Sequence, residues 1–93
     1  MIRTLPLVVL ATLAAAPASA ASPGFCQTYA DNAAQQYHHA RATPGCYKRT
    51  SNLWHAIRPR HLAWCLSAHP AAARAQTRER DLAISACDPS YGD

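Results

Sequence analysis

The sequence predicts a small all-α domain stapled by two disulfide bonds. Apolar residues recur at helical spacing in three segments, and no segment shows the alternation of apolar and polar residues that is typical of a strand. A chain of 93 residues buries little apolar surface, so it needs additional support, and four cysteines can supply it. We therefore expect a three-helix domain, with a short turn at 51–57 as an alternative fourth element.

The first twenty residues have the pattern of a secretory signal peptide. Arg3 supplies the basic start, residues 5–16 are mostly apolar, and Ala18-Ser19-Ala20 matches a small-x-small cleavage site. A membrane anchor would need about 20 consecutive apolar residues, and this run is shorter. We expect cleavage after Ala20, with cleavage after Ala16 or Ala21 as alternatives.

Export of the chain has consequences for its location, size and charge. We expect a periplasmic or secreted protein in which residues 21–93 form one domain, and no transmembrane segment in the mature chain. Removal of Arg3 from the nine Lys and Arg residues leaves eight, against five Asp and Glu, so the mature charge is +3 before histidines. This mild basic excess suits an anionic partner.

The first predicted helix covers residues 25–41. Six residues share one face of it at spacings of three, four and seven, namely Cys26, Tyr29, Ala30, Ala33, Tyr37 and Ala40. Thr43-Pro44-Gly45 then forms a strong stop and turn before Cys46.

The second helical pattern covers residues 51–67 and is interrupted by Pro59. Ser51 or Thr50 could cap it. Proline cannot donate a backbone N–H and moves the preceding Arg58 away from helical geometry. We therefore expect a short turn at 51–57 and a helix that begins with Pro59, while one kinked helix is the alternative.

The third predicted helix covers residues 70–86. Pro70 suits a first helical turn, and Asp88-Pro89 stops the helix. One face carries Ala73, Thr77, Arg80, Ile84 and Cys87, and another carries Leu82 with Ala75, Glu79 and Ala86.

The four cysteines predict two structural disulfides, because the chain is exported and their number is even. If three helices run up, down and up, Cys26 and Cys65 lie at one end of the bundle, and Cys46 and Cys87 lie at the other. The expected bonds are therefore Cys26–Cys65 and Cys46–Cys87, since a disulfide requires Cα atoms within about 7 Å.

One set of residues covers most of the mature chain: Cys26-x-x-Tyr29-Ala30, Cys46, then Trp54-x6-His61-x-x-Trp64-Cys65, and Cys87. This set resembles a short cysteine-stapled helical module of uncharacterised exported bacterial proteins. The resemblance implies a scaffold and export, and it implies no activity.

The segment 48–61 is the candidate binding segment, because it concentrates cations and contains no acid. Seven of its residues are candidate binding residues, namely Lys48, Arg49, Trp54, His55, Arg58, Arg60 and His61. Cations would provide affinity for an anion, and an exposed Trp54 would add a stacking or anchoring surface. The alternative is a solvated face whose Trp54 fills the core.

Five histidines raise the alternative of a metal site. No two of them have the i,i+4 spacing on an uninterrupted helix, so His55 and His61 are only weak candidates for ligands. A hydrogen-bonded position in the core is the competing interpretation of His61. We expect no cofactor.

These patterns favour a non-catalytic binding protein that acts on a protein partner or on an anionic component of the cell envelope. Inhibitors, immunity proteins and stress chaperones are fold-level analogues only. A metal-binding protein and a structural accessory domain of the envelope are the alternatives. We expect no enzyme, because the few carboxylates offer no acid–base pair. Nucleic acid is not an expected partner.

Overall fold

The computed structural model describes residues 20–46 and 53–92 of the chain. Within these ranges it contains three helices and no strand: α1 (Pro23–Ala42), α2 (Arg58–Leu66) and α3 (Pro70–Cys87). The predicted all-α fold is confirmed. The predicted signal peptide, apart from its last residue, and the possible caps Thr50 and Ser51 lie outside the described residues.

Each helix begins with a proline in its first turn, where the backbone N–H groups have no partner within the helix. α1 begins two residues earlier than predicted, because the Ser22 hydroxyl accepts a hydrogen bond from the Phe25 N–H at 3.3 Å. α3 begins at Pro70, as predicted, and the imidazole Nδ1 of His69 accepts from the Ala71 N–H at 3.0 Å.

The start of α2 differs from the prediction by one residue. Arg58 is helical, whereas we expected Pro59 to displace it and to begin the helix. The carbonyl oxygen of Ile57 accepts from the Arg60 N–H at 3.0 Å and from the His61 N–H at 3.3 Å, which closes the first turn around the proline. The N–H groups of the first turn have no partner within the helix, so Pro59 costs no hydrogen bond there. The helix can therefore include the preceding residue, Arg58. Residues 53–57 add no helix.

The two predicted disulfides are confirmed as Cys26–Cys65 and Cys46–Cys87, each with a Cα–Cα distance of 5.5 Å. The first joins the start of α1 to the end of α2, and the second joins the turn after α1 to the end of α3. α2 therefore runs back toward the start of α1, while α3 runs in the same direction as α1.

The core consists of two clusters with polar side chains between them. One cluster contains the first disulfide, and its buried members are Ala21, Cys26, Tyr29, Ala33, Cys65 and Ala73. The other contains Ala40, Cys46, Trp54 and Ile84. Along α1 and α3, the buried polar residues Gln36 and Arg80 occupy the positions between the clusters. Leu82, on the second predicted face of α3, is exposed.

Candidate functional site

The structure disperses the residues of the candidate binding segment. Lys48 and Arg49 lie outside the described residues. Trp54 is only 7% exposed, and the edge of its ring contacts Tyr37 with centroids 6.2 Å apart. Trp54 therefore fills the second core cluster and does not provide the exposed anchor that we considered.

The two arginines of this segment at the start of α2 have different surroundings. The guanidinium group of Arg58 donates to the carboxylate of Asp31 and to the side-chain oxygen of Gln27, so it ties α2 to α1. Arg60 is exposed, and among the described residues it has no ion-pair partner. Arg60 is thus the cation of this helix that is available to an external anion.

The rings of His55 and His61 form a stacked pair in which only His61 is buried. Their ring centroids are 3.9 Å apart and their planes differ by 12°. His61 is fully buried, and its Nε2 lies 2.7 Å from the carbonyl oxygen of His55, which can only accept, so Nε2 carries a proton. Its Nδ1 has no hydrogen-bond partner among the described residues. Burial lowers the pKa of His61, with nearby His55, Arg80 and Arg60 adding to the effect.

The stacked geometry bears directly on metal binding. A histidine nitrogen coordinates a metal through a lone pair in the ring plane, so two parallel rings stacked face to face direct their lone pairs side by side rather than toward a common point. The Nδ1 of His55 also accepts from the Ile57 N–H at 3.1 Å. Within residues 20–46 and 53–92, no three His, Cys, Asp or Glu side chains lie close enough to hold a metal ion together.

A buried arginine on α3 organises the polar layer between the core clusters. Arg80 is 4% exposed, donates from Nε to the Gln36 side-chain oxygen at 2.8 Å, and donates from Nη1 to the Leu53 carbonyl at 2.9 Å. Its guanidinium carbon lies 5.0 Å from the centroid of the Tyr29 ring. Gln36 in turn donates to the Asp81 carboxylate at 2.7 Å. The network therefore links the arginine to an acid through one amide.

The same carboxylate holds the segment that follows α3 against that helix. Tyr91 donates from its hydroxyl to Asp81 at 2.6 Å, and burial together with this acid raises the pKa of Tyr91. Next to it, the Nε2 of His39 lies 2.7 Å from the Asp88 carboxylate. The hydrogen bond with His39 lowers the pKa of Asp88.

A groove made of two adjoining concavities lies between α1 and α3. Its first part has a volume of about 400 Å³ and is lined by Phe25, Thr28 and Asn32 of α1, and by Arg74, Thr77 and Arg78 of α3. The second part, of about 260 Å³, shares Asn32, Thr77 and Asp81 with the first and continues to Gln35, His39 and Tyr91. The groove therefore follows α1 from Phe25 to His39, and on the other side it follows α3 and ends at Tyr91, beyond that helix.

Sequence reasoning did not assign Arg74 and Arg78 to a site. They are four residues apart on α3 and both are exposed, so they share a face of that helix. This spacing was visible in the sequence. It could not indicate that the shared face borders α1, because helix periodicity does not specify the neighbouring element.

No described helix is both long enough and apolar enough to cross a membrane. Two disulfides are typical of proteins in oxidising compartments, and they fit an extracellular or periplasmic protein. Comparison of the chain with protein-family models, curated proteins and solved structures finds no match.

Proposed function

We propose that this chain is an exported, non-catalytic binding protein whose ligand is an acidic region of a protein partner. One observation carries the proposal: the acids of the described surface are mostly engaged within the chain, while several arginines are not. The carboxylates of Asp31, Asp81 and Asp88 each accept hydrogen bonds from neighbouring side chains. The exposed cations without an ion-pair partner in the described part are Arg60, Arg74 and Arg78.

This distribution of charge favours binding over acid–base chemistry. A carboxylate that already accepts hydrogen bonds from a fixed neighbour is poorly placed to take a proton from a substrate. An arginine without an ion-pair partner has N–H donors and an unmatched positive charge for an external carboxylate. It can bind both carboxylate oxygens at once. The surface is therefore suited to attract and orient an acidic region of another protein.

The proposal is tested with peptides that differ only in charge. We expect the oxidised protein, recovered from an exporting host, to bind fluorescently labelled hexaglutamate about tenfold more tightly than labelled hexaglutamine, as measured by fluorescence anisotropy. The preference should shrink as salt is raised from about 50 to about 300 mM, because salt screens exposed charges.

Two results would contradict the proposal. Equal affinity for the two peptides, or binding of neither, would mean that the exposed arginines do not recognise carboxylates. Binding to vesicles that contain lipopolysaccharide, without binding to hexaglutamate, would assign the cations to an anionic envelope surface rather than to a protein.

A further inference from the structure

We infer that the groove between α1 and α3 is the binding site for an extended acidic segment of the partner, an inference that rests on the proposed function. The groove has continuous walls on both sides, because its two parts share Asn32 and Thr77. Two of the exposed arginines, Arg74 and Arg78, line its first part. A site of this shape binds a segment of chain rather than a single charged group.

The chemistry of the first part of the groove defines one end of the ligand. The guanidinium carbon of Arg74 lies 5.8 Å from the centroid of the Phe25 ring, so the ring supports the cation at the edge of the groove. Arg78 follows one helical turn later, which places its Cβ about 5–6 Å from that of Arg74. Two carboxylates of one segment can therefore each meet an arginine, while an apolar group contacts Phe25.

One acid, Asp81, lines both parts of the groove, and its carboxylate already accepts hydrogen bonds within the chain. The Asp81 carboxylate accepts from both Gln36 and Tyr91, and these two donors offset part of its repulsion of an acidic ligand. The second part of the groove presents the exposed side chains of Gln35 and His39. The side-chain amide of Gln35 can donate to a carbonyl oxygen of an extended backbone.

The length of the groove indicates how much of the partner it holds. On α1 it extends from Phe25 to His39, which is about 21 Å at the helical rise per residue. An extended chain of about six residues has this length. The inferred ligand is therefore a segment of about six residues whose acidic residues lie at the end that meets Arg74 and Arg78.

The test compares substitutions inside and outside the groove by anisotropy with labelled hexaglutamate. Arg78→Gln should weaken binding about fivefold, whereas Arg60→Gln, which removes the same charge from α2, should change it less than about twofold. Thr28→Trp places a large side chain in the groove and should weaken binding about tenfold. Ala63→Trp, at an exposed position of α2, is its matched control. Thermal melts of all four variants verify that they fold.

The outcomes separate the inference from the proposed function. If hexaglutamate binds but Thr28→Trp has no more effect than Ala63→Trp, the groove is not the site, although the protein still binds an acidic ligand. Equal losses for Arg78→Gln and Arg60→Gln would likewise show that the ligand contacts the cations diffusely. If hexaglutamate does not bind the unsubstituted protein, the proposed function itself fails.

Discussion

At the scale of single residues, His61 is the side chain whose surroundings most restrict its chemistry. It is buried, its Nε2 donates to the His55 carbonyl, and its Nδ1 has no partner in the described part of the chain. A second proton would go to Nδ1 and would create a buried cation. The groups that face the ring are His55, Tyr29, Arg80 and the adjacent Arg60, and none of them is an acid. Neutral His61 is therefore part of the folded state.

This environment predicts that acid destabilises the protein. The pKa of His61 is about 6.5 in the unfolded chain and is lowered by burial in the folded one, so the unfolded chain takes up the proton first as the pH falls. The stabilisation is complete above 6.5 and declines below it. Between pH 7.5 and pH 5, we expect this histidine to remove at most about 2 kcal/mol from the free energy of unfolding, measured by urea denaturation.

The matched variant for this prediction is His61→Gln, whose side-chain amide can still donate to the His55 carbonyl but does not titrate. Its free energy of unfolding should depend less on pH over the same range. Asp88, whose pKa is lowered from 3.8, responds only at more acidic pH and does not interfere. An equally steep pH dependence in the variant would mean that another group titrates.

At the scale of elements, α2 is the helix with the least local support. It has nine residues, and its N-cap residue, Ile57, offers no side-chain acceptor to the first turn. That turn contains Arg58 and Arg60 and no acid, which opposes the positive end of the helix dipole. What holds α2 is tertiary contact: the ion pair of Arg58 with Asp31 and the disulfide at Cys65.

This lack of a cap predicts a stabilising substitution. Ile57→Asp should raise the free energy of unfolding by about 1 kcal/mol, because the carboxylate would accept from the first turn and would interact favourably with the helix dipole. Ile57 is 47% exposed, so little apolar burial is lost. Urea denaturation at pH 7.5 measures the change.

Two further variants at Ile57 separate the contributions to this gain. Ile57→Asn should keep most of the gain, since it caps without charge, and Ile57→Ala should show none. If all three substitutions lower stability equally, the isoleucine side chain matters more than the cap.

At the scale of the whole molecule, each of the two disulfides lies in one of the two core clusters. Each cluster contains cysteines of one disulfide, and alanine accounts for several of the other buried positions. Small side chains bury little area each, so the apolar contribution to stability is limited. Covalent links between the ends of the helices reduce the entropy of the unfolded chain and compensate for this core.

Reduction should therefore unfold the protein. The disulfides connect residues 39 and 41 positions apart, and each contributes about 4 kcal/mol in the chain-entropy model. Circular dichroism melts with and without reductant measure the loss. Replacing either cysteine pair by alanine should lower the melting temperature without abolishing helix at low temperature. A full cooperative melt of the reduced protein would contradict the prediction.

The fold could be predicted far better than the candidate site. Helix periodicity and the turn at Thr43-Pro44-Gly45 depend on neighbouring residues, and they predicted the three helices to within two residues. The site depends on which helix faces meet. Trp54 and Arg58 belong to the basic segment, but the first packs into the core and the second pairs with Asp31, at a separation of 27 residues. No local pattern contains that information.

By itself, the sequence determined the helical class, the order of the three helices and the pairing of the four cysteines, because spacing along the chain limits which ends can meet. Only the tertiary structure decided which charges remain available. Arg80 is buried and donates to Gln36, and Arg58 pairs with Asp31. Arg74 and Arg78, by contrast, are exposed beside α1. The physical reason is that a side chain's charge is neutralised by its neighbours in space, and these come from distant parts of the chain.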